Sequence, residues 1–401
     1  MPRYLLVAFA GLAVWAATAG AAGDPPILVV RLTSHVSTAD SKAGDKIAGV
    51  NVTSLVSGGK TIATPGCTMP GIVLKSLRPK GVNEREVMAF EFTTIVDADK
   101  VSHTIKTKLI DVDNARETVN QDGDVLGVAP VDKKPENPSD VLKTAANGGQ
   151  IMRALVSKVI GRVPPQIDYK AGAELIFRVT ELPAEKSIMC RTVPPELAQN
   201  KELTALVNGQ PLHSLTPDDA SPSDVTNLLF VGPLDWLQGA FSAAGWVTAE
   251  AIGATSSAKT FLATIAGEGY AEAPVSVQHI NGRSPDAVFQ KQLNTFAERH
   301  HVRIWQTDKT FADQQVWIAA ATHDNAIVAA KDVKLFTHSI DPDIDEERLK
   351  IVDDLSFAGA VASHTLVPRP KAPRESENST GITVRTDGKM AVIVLQKAPK
   401  K

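Results

Sequence analysis

From Ile27 to about residue 225 the apolar residues come in short runs, closely spaced and cut by Gly, Pro and Asp. Ile27-Leu28-Val29-Val30-Arg31-Leu32, Met88-Ala89-Phe90-Glu91-Phe92 and Glu174-Leu175-Ile176-Phe177-Arg178-Val179 are examples. In an extended chain successive side chains point to opposite faces, so runs of this kind offer one face to a core and one to water. Their spacing predicts a mainly-β domain, a small barrel or sandwich, over residues 23–207. Lys42-Ala43-Gly44-Asp45-Lys46-Ile47 is echoed by Lys170-Ala171-Gly172-Ala173-Glu174-Leu175, which suggests two related halves. Pro130 to Gly149 reads as a polar loop, and residues 150–160 as a short helix after it.

The first residues have a different character. Arg3 is followed by an apolar stretch from Tyr4 to about Trp15 and then the small residues Ala16 to Gly23. Ala19-Gly20-Ala21 and Gly20-Ala21-Ala22 match a small-x-small cleavage pattern, and Asp24-Pro25-Pro26 ends any helix. Residues 1–22 therefore predict a signal peptide and an exported protein, periplasmic or extracellular. Left uncleaved, the same stretch is long enough to be a membrane anchor. Loss of Arg3 moves the formal charge from −3 to −4, which leaves no basic footprint for nucleic acid. Cys67 and Cys190 are the two cysteines. In an oxidising compartment they have one way to pair; two buried thiols is the alternative, and the sequence leaves both open.

After residue 225 the periodicity changes. Residues 208–227 hold Pro211, Pro217 and Pro222 with several Asp and predict a linker. Leu234, Leu237, Phe241 and Ala244 recur at helical spacing, closed by Gly245. Ser284-Pro285-Asp286 has the form of a helix start, with Phe289, Leu293 and Phe296 as its apolar stripe. Strands are expected at Val302–Gln306 and Val316–Thr322, and a helix at Ile344–Phe357 capped by Asp343, with Glu346 at the third position. Residues 367–380 read as flexible, and residues 381–401 as a β-hairpin and tail turning at Asp387-Gly388. The fold class is thus multidomain, β followed by α+β.

Several strings in the second half occur in an order that resembles a known family. They are Phe230-Val231-Gly232, Phe241-Ser242-Ala243-Ala244-Gly245-Trp246, Gly282-Arg283-Ser284-Pro285-Asp286, Arg299-His300-His301-Val302-Arg303-Ile304-Trp305, Trp317-Ile318-Ala319-Ala320-Ala321-Thr322-His323-Asp324 and Thr337-His338-Ser339-Ile340-Asp341-Pro342-Asp343. Residues 228–366 resemble the LssY-like C-terminal domain. The resemblance implies a bacterial α+β domain and brings no reaction with it.

Five of the nine His lie between His279 and His338. In an extended Arg299–Gln306, His301 and Arg303 share a face. If the strand ending at His323 pairs with that face, His301, Arg303 and His323 form one polar cavity, closed by His338, Asp341 and Arg348. His301, His323 and His338 are then candidate ligands for a divalent metal, Zn or Mn. A metal-bound water would attack an ester or phosphoester. Simpler roles compete. His300 beside an apolar face suits a buried, hydrogen-bonded ring; Asp343 and Asp345 suit a helix N-terminus; Arg348 suits an i,i+3 pair with Asp345. There is no Gly-x-Ser-x-Gly, His-Glu-x-x-His or Walker loop. Whether the chain is an enzyme stays open. The first reading is a noncatalytic protein that binds an envelope ligand or protein partner; the alternative is a metal-dependent hydrolase of a phosphate- or ester-bearing envelope substrate.

Overall fold

The computed structural model describes residues 25–58, 60–78, 84–113, 115, 117–127, 166–185, 187–191, 193–218, 221–248, 278–291, 299–329, 336–379 and 381–399; of 299, 325–329 and 336–339 it describes the backbone alone. The expected signal peptide, the 130–149 loop and the 150–160 helix lie outside these residues.

The alternating runs do form strands. They are β1 (Ile27–Leu32), β2 (Lys46–Asn51), β3 (Thr68–Leu77), β4 (Val87–Phe92), β5 (Lys106–Val112), β6 (Thr118–Val119), β7 (Val125–Leu126) and β8 (Glu174–Glu181). They join in the order β5-β8-β1-β2-β3-β4-β7-β6, every pair antiparallel. β5 also lies against β6 and β4, so the sheet curls into a nearly closed barrel. Leu28, Val30 and Leu32 of β1 face its interior beside Leu175, Phe177 and Val179 of β8. The intervening residues of β1 and β8 face outward, and this outer face carries the pair Arg31↔Glu174. The echoed strings are one turn used twice within this continuous sheet. Lys42 O accepts from Asp45 N and Lys170 O from Ala173 N, each at 3.1 Å. Gly44 and Gly172 take the left-handed φ values of 93° and 105° that the turn requires,. The turns lead into β2 and β8, the two neighbours of β1.

Cys67 and Cys190 form a disulfide across 123 residues of chain. In the chain-entropy account a loop of that length contributes about 4–5 kcal/mol. It pins the end of the barrel domain just before residues 194–199, which cross to the second domain and run along its edge strand, with Leu197 N donating to His364 O at 2.8 Å.

The second domain contains α1 (Lys201–Asn208), β9 (Leu228–Val231), α2 (Leu234–Ala243), β10 (Trp246–Thr248), β11 (Ala287–Lys291), β12 (Arg299–Phe311), β13 (Gln314–Ala329), β14 (Phe336–Ile340), α3 (Ile344–Phe357), β15 (Val361–Pro368) and β16 (Lys389–Leu395). Its sheet runs β10-β11-β12-β13-β9-β16-β15, with β14 on β13. β9 and β16 are parallel and the remaining pairs antiparallel. α2 and α3 cover one face over Phe230, Phe241, Phe289, Ile304, Trp317 and Leu355. α1 covers the other, where Leu203 and Val207 meet Leu229, Trp305 and Ile318. No helix among the described residues is long and apolar enough to cross a membrane.

Four expectations need correction. The residues after Ser284 are a strand, β11, because Phe289 pairs with Val302 and stacks on Phe241 at 4.5 Å; three apolar residues set the helical expectation, and sheet burial outweighed it,. Residues 208–227 contain a strand pair, His213–Leu215 with Pro222–Val225, and bury Ser223, Asp224, Thr226 and Asn227. Residues 367–380 contain the strand Glu375–Glu377, and Arg369 is buried with its guanidinium on the carbonyls of Thr226, Gln210 and Pro211. The hairpin within 381–401 does not form. Asp387-Gly388 does turn, with Gly388 at φ 65°, but Thr383–Arg385 pairs with Glu375–Glu377 while β16 inserts between β9 and β15, where both its faces find core,.

Candidate functional site

The register of β12 on β13 decides which polar side chains meet. His300 lies opposite His323 and His301 opposite Thr322. Side chains alternate, so His300 and His323 belong to the face under α2 and α3, and His301 and Arg303 to the face under α1. The single cavity expected to join His301, Arg303 and His323 is therefore two clusters on opposite faces of one sheet.

The cluster on the helix face is a buried ionic seam between the two domains. His300 Nδ1 lies 2.5 Å from Glu347 Oε2 of α3, and Nε2 lies 2.9 Å from Asp113 Oδ1, which follows β5 of the barrel. Lys350 reaches Glu174 Oε2 at 2.7 Å and Asp113 Oδ2 at 3.2 Å. Lys291 joins Glu174 Oε1 at 2.7 Å to Asp354 Oδ2 at 2.8 Å. Arg31 joins the same two carboxylates from the barrel side, at 2.6 and 2.8 Å, and the Trp246 indole donates to Asp354 Oδ2 at 2.8 Å. Arg191 donates to the Phe357 carbonyl at the end of α3, with its guanidinium over the Phe357 ring. α3 is suited to this contact because Glu347, Lys350 and Asp354 fall at i, i+3 and i+7 on one stripe,.

Burial acts on every one of these groups, and the neighbours decide the outcome. Burial alone would raise the carboxyls of Asp113, Glu174 and Asp354. Lys350 and His300 around the first, Lys291, Lys350 and Arg31 around the second, and Lys291 and Lys350 around the third hold them below the usual range. Burial would lower His300, but Glu347 and Asp113 raise it to about 9. His323 stacks on that ring at 4.2 Å and is pushed down to about 3 by burial and then by the charge of His300. Asp353, beside Asp354, is raised to about 7 by burial and its acidic neighbours.

The cluster under α1 is built on Arg303, whose Nη1 lies 2.8 Å from Asp224 Oδ2 and 3.4 Å from His301 Nδ1. Gln278 Nε2 donates to the same Asp224 oxygen at 2.7 Å, and its Oε1 accepts from Ser214 at 2.6 Å. His301 Nε2 lies 3.0 Å from Asp324 Oδ1. Thr322, His301 and Asp324 have the residue types of a nucleophile, base and orienting acid, but not the geometry. Thr322 Oγ1 is 3.2 Å from Nδ1 and 3.3 Å from Nε2, so it lies along neither ring lone pair and passes its proton to neither nitrogen,.

The remaining candidates lie apart. Arg348 is sealed in a third cluster, on Asp345, Asp387 and the Lys389 carbonyl, each at 2.8 Å. Asp341 receives Asp343 N on its carboxylate and donates its own N–H to the His323 carbonyl at 2.7 Å. His338 pairs with Ile327 through its backbone, and its side chain lies outside the described residues. Among the described residues no three His, Cys, Asp or Glu side chains are disposed to hold a metal. Also on the α1 side, an open groove of about 250 Å³ has Ile280, Trp305 and Ile318 as apolar lining, with the amides of Gln210, Asn281 and Gln306 and the charged Arg283, Asp308 and Lys309 around it.

Sequence reasoning missed Arg31, Asp113, Glu174, Lys291, Lys350 and Asp354. One signal was present: Arg31 and Glu174 are charges in or beside apolar runs, where an unpaired buried ion is costly, although Glu91 and Arg178 share that setting,. Residues 209–390 match the family model described as LssY C-terminus. That range is wider than the resemblance drawn from sequence strings, and it takes in the Asp224 strand and the start of β16. A comparison with curated proteins finds no match.

Proposed function

We propose that this chain is an exported, noncatalytic binding protein of the cell envelope, in which the β-barrel and the LssY C-terminal domain are joined as one body. One observation carries the reading: the buried charged side chains on and beside both faces of the sheet are engaged in structural pairs. His300 bridges Asp113 and Glu347, Arg303 holds Asp224, and Arg348 holds Asp345 and Asp387. The hydrolase alternative needs His301 and His323 on one ion, and their strand register puts them on opposite faces. Export is supported by the signal-like residues 1–22 and by the Cys67–Cys190 bridge, a cross-link typical of oxidising compartments,. Ligand contact belongs to the open groove, where an apolar base, amides and the charged Arg283, Asp308 and Lys309 suit a small polar molecule,.

The test is metal content and turnover. The chain lacking residues 1–22, dialysed against Zn or Mn, should retain substoichiometric metal and hydrolyse p-nitrophenyl acetate and p-nitrophenyl phosphate at the buffer rate. Stoichiometric metal with turnover, both lost in His301→Asn or His323→Asn, would overturn the proposal.

A further inference from the structure

Both nitrogens of the His300 ring face carboxylate oxygens, Nδ1 that of Glu347 and Nε2 that of Asp113. A neutral imidazole has one N–H and serves one of them; the imidazolium serves both. The two carboxylates come from different domains. The ring is 4 % exposed, so water does not replace a lost donor,. Glu347 Oε1 is buried and has no hydrogen-bond partner among the described residues.

We propose that His300 is a proton-held clasp between the two domains: as an imidazolium it ties Asp113 of the barrel to Glu347 of α3, and loss of that proton loosens the seam. The groups facing the ring are Glu347 and Lys350 from α3, Asp113 from the barrel, His323 from β13 and the Trp246 indole from β10. Lys350 favours the neutral ring, and the two carboxylates outweigh it together with burial. With the ring raised to about 9 from an ordinary 6.5, the clasp is at full strength below about 6.5 and is lost as pH rises through about 9,. His323, held to about 3, stays neutral across that window. Asp353 titrates at about 7, so it adds only about twofold to the opening between pH 7 and 9,. The inference does not depend on whether the chain is catalytic.

Amide hydrogen exchange of the full chain, read on α3 and corrected for intrinsic rates, measures the opening of the seam. From pH 7 to 9 the opening constant should rise about tenfold per pH unit, the limit for one proton, and then level off. Amides of β2, inside the barrel, should not follow. In His300→Lys, whose ammonium stays charged over this range, the rise should vanish. Wild-type protection that is flat from pH 7 to 9 overturns the clasp, and so does an unchanged slope in the Lys variant. If that variant does not fold, the ¹⁵N titration of the wild-type ring decides. A ring neutral at pH 7 overturns the inference; one that titrates near 9 together with the opening supports it.

Discussion

Arg303 is 2 % exposed, and its partner Asp224 is 6 % exposed. Removing one member of such a pair leaves the other charge buried, at a cost of about 3–5 kcal/mol, whereas removing both is far milder. Arg303→Leu should therefore lower unfolding stability by about that amount in denaturant titration, and adding Asp224→Leu should recover much of the loss. A single variant close to wild type would mean that the pair is not sealed. His301 and Arg303 were legible as neighbours because alternation along one strand is local. His323 was not, because its face depends on the offset between two strands. That offset is set by the turn at Ala312-Asp313, both at positive φ, which pairs Phe311 with Gln314, and by a register shift between Gln306 and Thr310,. A shift of one residue would have exchanged the faces. Neither residue type marks a two-residue turn as Asn-Gly would.

At the scale of elements, α3 was readable to its ends because Asp343 announces its start, and its carboxylate accepts from Asp345 N at 3.2 Å,. β11 was misread because a strand's partner lies elsewhere in the chain. β16 was read as half of a local hairpin for the same reason, and its true place has a consequence. A piece from about Thr226 to Val367 contains α2, α3 and the β12–β13 pair, and from sequence it looks self-sufficient. It lacks β16, which holds β9 to β15, and Asp224, which neutralises Arg303. That piece should show no cooperative melt by circular dichroism, while the stretch from about Pro194 to Pro399 should melt cooperatively. A cooperative transition in the shorter piece would contradict this account of the sheet.

Across the whole molecule, the barrel and the LssY domain meet through Arg31, Asp113 and Glu174 on one side and Lys291, His300, Glu347, Lys350 and Asp354 on the other. The β and α+β classes and the position of the second domain were legible from periodicity and from the ordered family strings. The seam was not, since it assembles charges from residues more than a hundred positions apart and from strands whose outer faces look like ordinary surface. The central claim is that these charges act as partners and not as a reaction centre. It is tested most directly by a double-mutant cycle on Glu174 and Lys291, which lie 2.7 Å apart across the seam and are both buried. In denaturant unfolding, Glu174→Gln and Lys291→Met should each destabilise, and the double variant should lose about 2 kcal/mol or more less than the sum of the singles. Single effects that add to within about 0.5 kcal/mol would contradict the claim.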